Sequence, residues 1–119
     1  MDPINLIEKL GLFTDTWTPK EIAYFDDYKI FLAKLEDDFV FHAHDDEDEV
    51  FLVIEGRFKM EYRDREVWVE KGEMVVVPRG VDHKPCAPEP CSVLVIEKKS
   101  ADHTGGVDDP RRKTVFETI

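Results

Sequence analysis

Three histidines and one glutamate are the residues of this chain best placed to do chemistry. His42 and His44 stand two apart in the run Phe39 to Gly56, FVFHAHDDEDEVFLVIEG. Extended chain alternates its side chains between faces, so both imidazoles point to the same side. Glu49 comes five residues after His44 and opens a second apolar run that stops at Gly56. His83 lies in the turn-rich segment KGEMVVVPRGVDHKP, behind another strand-like run. Imidazole nitrogen suits iron, nickel, copper and zinc, and a carboxylate oxygen widens the set to manganese. Four protein ligands on an octahedral ion would leave two positions for water, substrate or dioxygen.

Two histidines from one strand, a carboxylate from the next and a histidine from a distant strand meet only inside a sheet closed on itself. The rest of the chain supplies such strands. From Ile22 onward short apolar runs recur: Tyr28–Leu35, Val40–His44, Val50–Ile54, Phe58–Tyr62, Val67–Val69, Met74–Val77 and Ser92–Ile96. The gaps between them are short and rich in Asp, Glu, Gly and Pro, the pattern of an all-β sandwich or barrel. A short helix is expected over residues 3–10, with Asp2 as N-cap, Pro3 in the first turn, Ile4, Ile7 and Leu10 on one face, and Gly11 as stop. After Ile96 periodicity is lost, and residues 99–119 read as an arm whose final VFETI is a candidate edge strand. Gly56, Gly72 and Gly80 are turn residues, and Pro78 pre-sets the turn that delivers His83.

Val50 to Ile54 and Val93 to Ile96 are apolar on both faces, whereas a strand with one solvated face should alternate. A second cover is therefore expected: another sheet, the N-terminal helix or a partner subunit. A symmetric homodimer is the simplest partner, and burial within one sandwich serves equally.

With 119 residues the chain has the length of one domain. Its net charge of −11 opposes nucleic acid and anionic membrane as partners; Arg111-Arg112-Lys113 is the single basic cluster. No run approaches the roughly twenty apolar residues of a membrane span, and MDPINLIEK lacks the features of a signal peptide, so cytoplasmic residence is expected. Cys86 and Cys91 lack a CxxC spacing and read as inert thiols rather than a disulfide, redox pair or metal site.

The two histidine-bearing stretches resemble the paired motifs of the cupin superfamily. The first family motif runs Gly, five residues, His-x-His, three or four residues, Glu, six residues, Gly; His42-Ala43-His44, Glu49 and Gly56 fit it, with Glu36 in place of the opening glycine. The second runs Gly, five residues, Pro-x-Gly, two residues, His, three residues, Asn; Gly72, Pro78-Arg79-Gly80 and His83 fit it, with Ala87 in place of the asparagine. The resemblance covers about residues 36–87 and is to small single-domain cupins of the mannose-6-phosphate isomerase-like kind. It implies an all-β, double-stranded β-helix (jelly-roll) barrel over about 20–98 with a short N-terminal helix. It also implies that His42, His44, Glu49 and His83 bind a divalent transition metal: iron, manganese, nickel, copper or zinc.

Neighbours of the ligands should line the pocket: Phe51, Val53, Met60 and Met74, with Val40 and Val95 as further candidates. Such a lining suits a small, partly apolar organic ligand. No Arg or Lys is expected inside the barrel, leaving Arg79 and Lys84 at the rim. Asp45, Asp46, Glu47 and Asp48 read as a solvated loop, since the calcium-loop order of an EF-hand is absent. Asp48 is an alternative to Glu49 as ligand, and the spacing to Gly56 favours Glu49. His103 in the arm is a candidate acid or base, with plain exposure the preferred reading. The resemblance embraces dioxygenases and isomerases without choosing a reaction, because one fold hosts many activities. A metal-dependent dioxygenase, isomerase or lyase, a non-catalytic ligand-binding module and a structural homodimer are therefore all carried forward.

Overall fold

The computed structural model describes residues 1–100, 104–112 and 115–119. Among the described residues seven antiparallel strands follow one short helix: α1 (Leu6–Leu10), β1 (Lys20–Phe25), β2 (Tyr28–Asp38), β3 (Glu49–Glu55), β4 (Arg57–Tyr62), β5 (Glu66–Glu70), β6 (Met74–Val77) and β7 (His83–Lys98). No helix among the described residues is long and apolar enough to cross a membrane.

β7 is the spine. Its C-terminal half lies between β2 and β3, and its first residues pair with β4, which pairs in turn with β5. The order β1-β2-β7-β3-β6 therefore shares one strand with the β4–β5 ribbon, and the sheet curls into a barrel. The bend falls where Leu35 faces Cys91 but Asp37 faces Ala87, so that Pro88-Glu89-Pro90 bulge outward. Proline gives no ladder N–H and collects at such bulges. Asp37 takes a left-handed φ of 64° opposite it, a conformation that a short polar side chain tolerates. Gly56, at φ 79°, turns β3 into β4 beneath this bulge. A Cβ there would stand 2.7 Å from the Pro90 carbonyl oxygen, so only glycine fits.

Inward-facing residues alternate as a closed sheet requires. Phe31, Ala33 and Leu35 of β2, Phe51 and Val53 of β3, Phe58 and Met60 of β4, and Val93 and Val95 of β7 form one core. Trp17 stacks on Phe39 at 4.6 Å between ring centroids and closes one end of it.

Several sequence expectations require correction. The helix begins at Leu6, because Asn5 rather than Asp2 caps it by accepting a hydrogen bond from the Glu8 N–H. Leu6 and Leu10 face the sheet, while Ile4 and Ile7 are exposed. Val40–His44 forms no ladder among the described residues; its β-bridge is between His42 and His83. β7 begins at His83, not Ser92, despite three prolines in between. The closing VFETI does reach an edge: Thr118 bridges Glu21 in parallel, and Phe116 packs edge-on against Phe31.

The doubly apolar strands are explained in part by α1. Leu10, Phe13 and Leu32 make a second, smaller core on the outer face, with Ile54 and Leu94 against it. The same face carries two cross-strand rows, Ile30–Ile96–Val50–Val76 and Leu32–Leu94–Leu52–Met74. At the β6 end of these rows Met74 and Val76 are exposed.

Candidate metal centre

The bridge between His42 and His83 is where the site is built. Each backbone N–H donates to the other residue's carbonyl, at 3.0 and 2.9 Å, a closed pair that fixes the two histidines side by side. Gly80 donates its N–H to the His44 carbonyl at 2.8 Å, so the turn following β6 also holds the loop that carries the first two imidazoles. On the other side Gly105 presses on that loop, and a Cβ there would meet the Ala43 carbonyl oxygen at 2.2 Å. Glu49 opens β3 on its inward face, in phase with Phe51 and Val53.

These constraints gather one donor atom each from His42, His44, Glu49 and His83 within 4.8 Å of one another, all four residues buried. Asp48 points the other way, accepting from the Arg79 backbone N–H at 2.9 Å with the Arg79 Nε at 3.5 Å. Strand alternation thus decides between the two acids in favour of Glu49.

The hydrogen bonds of the imidazoles fix which nitrogens face inward. Nδ1 of His42 lies 2.9 Å from the Val40 carbonyl, and Nδ1 of His83 lies 2.9 Å from the Val81 carbonyl. Nδ1 of His44 lies 3.2 Å from Glu47 Oε1. Carbonyl and carboxylate oxygens only accept, so Nδ1 carries the hydrogen in all three rings. Nε2 of His44 and of His83 then stand 3.3 Å from the same oxygen, Glu49 Oε1. For neutral imidazoles these contacts set lone pair against carboxylate, and a cation between them resolves the conflict. Burial, reinforced by neighbouring His83, pushes the His42 imidazole down to about 4, toward the neutral form a metal requires. Burial works to raise the Glu49 carboxyl, whereas positive charge on His44 and His83 outweighs it and holds the group well below the usual range, the same attraction that a cation at Nε2 would supply. Three imidazoles and one carboxylate fit a divalent transition ion, and the carbonyl and carboxylate partners of Nδ1 orient the rings as metal-site histidines require.

Beside the cluster lies a cavity of about 40 Å³. Its walls include Trp17, Phe31, Phe39, Phe51 and Val95, with His42, Glu49 and Glu97 as its ionisable groups. Of the expected lining residues, Phe51 and Val95 reach it. Val53 and Met60 are buried in the core outside the cavity's lining, and Val40 packs partly buried against that core. Met74 does not belong to the lining. The β3–β6 register pairs it with Leu52 on the outer face, where it is 62% exposed.

Three acidic or basic residues escape a reading by composition. Glu47, placed in a solvated loop by its acidic neighbours, is buried against His44. Glu97 is 1% exposed, hydrogen-bonded to Glu49, and raised well above the usual carboxyl range by burial and by the Glu49 charge. Lys29 faces inward opposite Glu97, its ammonium 4.9 Å from the Phe31 ring centroid. The barrel therefore contains a lysine, against expectation. The signal was parity: Glu97 follows Val93 and Val95, and Lys29 precedes Phe31 and Ala33, at alternate positions. Arg79 and Lys84 are engaged at the surface, Arg79 with Asp48 and Lys84 with Glu61 at 3.2 Å. Asp38, Glu61 and Cys86 also cluster, but Lys59 and Lys84 balance their charge. Cys86 and Cys91 are free thiols pushed up to about 11 and about 12, chiefly by burial. His103 and Lys113 lie outside the described residues.

A curled antiparallel barrel with a histidine–carboxylate cluster at its mouth defines a double-stranded β-helix protein with a candidate metal centre. The profile described as cupin domain matches residues 31–97, and the chain belongs to that family. It is similar to a cupin-2 domain containing protein from Shewanella frigidimarina, at 45% identity over 80% of this chain and 93% of that one, with a TM-score of 0.79. A protein from Neisseria meningitidis is 32% identical over 82% of this chain and 99% of that one, with a TM-score of 0.75. The uncharacterized protein YdbB of Bacillus subtilis is 29% identical over 82 residues, 68% of this chain and 73% of that protein.

Proposed function

We propose that this cupin binds one divalent transition ion through His42, His44, Glu49 and His83 and is a metal-dependent enzyme for a small organic molecule. The observation that carries the reading is the commitment of all three Nδ1 atoms to acceptors, which turns lone pairs of buried nitrogen toward Glu49. A bound ion would supply Lewis-acid or dioxygen-activating chemistry of the dioxygenase, isomerase or lyase type. The chain's own part is to orient the imidazoles through Val40, Val81 and Glu47 and to exclude water with an apolar wall. The small cavity favours a second reading, a non-catalytic module that binds a small ligand without turning it over.

Elemental analysis of protein purified without a metal-affinity tag tests the proposal. Near-stoichiometric iron, manganese, nickel, copper or zinc is expected. No metal after reconstitution would overturn it. Metal-loaded protein that binds small organic ligands saturably but neither consumes dioxygen nor converts them would favour the binding module.

Cytoplasmic residence is proposed on the two free thiols, which suit a reducing compartment. We also infer a symmetric homodimer formed over the outer rows ending in Met74 and Val76. In that assembly Val50, Leu52, Met74 and Val76 of one protomer meet the same residues of its partner. Sedimentation is expected to give twice the mass of one chain, and Met74→Glu combined with Val76→Glu to give one; a monomeric parent would refute the arrangement.

A further inference from the structure

Glu97 leaves one buried polar atom of the cavity without a partner. It reaches the cavity because β7 alternates and Val93, Val95 and Glu97 share the inward face. One carboxyl oxygen is taken up by the contact with Glu49, and Oε2 has no hydrogen-bond partner among the described residues. The side chain is almost wholly removed from solvent. Leaving such an atom unsatisfied is costly, and a native structure that keeps one invites a ligand or water. Whichever of the two touching acids carries the shared hydrogen, that hydrogen lies between them. Oε2 is left an acceptor in either case and takes a donor from the cavity. Phe31, Phe51 and Val95 make apolar walls around it, the other ionisable lining groups are His42 and Glu49, and Lys29 stands opposite Glu97 on β2.

We propose that Glu97 is the specificity-determining residue of this site, selecting small ligands that carry a hydroxyl donor beside a metal-binding oxygen. The hydroxyl donates to Glu97 Oε2 while the adjacent oxygen occupies the position next to Glu49. The cavity bounds the ligand: about 40 Å³ is room on the order of three water-sized groups. This inference rests on the metal-site reading above and names the ligand class for it.

The test uses full-length protein loaded with cobalt(II), whose visible bands report both metal occupancy and ligand arrival. Glycolate and acetate are titrated as probes; they share a carboxylate and differ by one hydroxyl. The parent is expected to bind glycolate about tenfold more tightly, the worth of one good buried hydrogen bond. Glu97→Leu should bring the two probes within about twofold, which separates the Glu97 contact from chelation by glycolate itself. Glu97→Gln, whose amide can donate to Glu49 and still present an oxygen, should keep the preference. Equal affinities in a parent with normal cobalt bands would overturn this inference alone and assign Oε2 to water. So would a preference that survives in Glu97→Leu or is lost in Glu97→Gln. Absence of cobalt bands in the parent would overturn the metal reading and this inference with it. Should Glu97→Leu not fold, the parent and the glutamine variant each still give a result that overturns the assignment.

Discussion

His83→Ala is expected to lower the affinity for a divalent transition ion by more than about a hundredfold. Loss of an outer-shell partner typically costs 10–100-fold, and His83 is placed as a direct donor. It is the one member of the cluster delivered by β7, it is fully buried, and its Nε2 lies 3.3 Å from Glu49 Oε1. The fold should survive, since the bridge to His42 is made by backbone atoms that alanine retains. Competition against a chromophoric chelator measures the affinity, and circular dichroism checks the fold. Cys86→Ser, in the second acidic cluster, should leave the affinity unchanged. Retention of metal by folded His83→Ala to within tenfold of the parent would place the ion elsewhere.

The second large effect is on pH dependence in the metal-free state. His42 titrates near its ordinary value when unfolded and only at about 4 when folded. Between those values the unfolded chain binds a proton that the native chain refuses, so acidification through this window favours unfolding. By pH 4 the contribution lost is about 3 kcal/mol. Glu97 works in the opposite sense. Its raised carboxyl holds a proton in the native state that the unfolded chain lacks above its own ordinary value, so acid stabilises through that group. Glu49, held well below the usual carboxyl range, works in the same sense as His42, so the His42 contribution is read as a difference. Urea unfolding of chelator-treated parent and His42→Gln at pH 7 and pH 4 should show the parent losing about 3 kcal/mol relative to the variant. A difference that does not change with pH would show that His42 is not held neutral by the fold.

Much of this architecture is legible in the residues. The spacing of His42, His44, Glu49 and His83 identifies the cluster, and alternation along β3 orients Glu49, Phe51 and Val53. What escapes is set by contacts that no local pattern carries. The prolines at 85, 88 and 90 hide the first half of β7, because a proline-rich stretch reads as a turn unless the bulge opposite Asp37 is known. The register of β6 against β3, not its composition, puts Met74 outside and Val77 inside. Glu47 sits among acids that are solvated, and only the position of His44 shows why it alone is buried. Glu97 and Lys29 obey the parity of their strands, yet a charged residue closing an apolar run looks like the end of the strand.

The two ends of the chain also meet. Lys9 Nζ donates to the Ile119 carbonyl at 2.6 Å, Lys20 pairs with Glu117 at 2.9 Å, and Thr118 bridges Glu21. Contacts of such sequence separation return energy only after nearly the whole chain has been closed into a loop, and that entropy is spent first. A topology of this kind folds in milliseconds to seconds rather than microseconds. The loop bearing His42 and His44 runs on the same clock, because Gly105 must arrive from the far side of β7 before it can press that loop into place. Metal uptake during refolding should therefore be slow and limited by the chain, whatever the concentration of the ion.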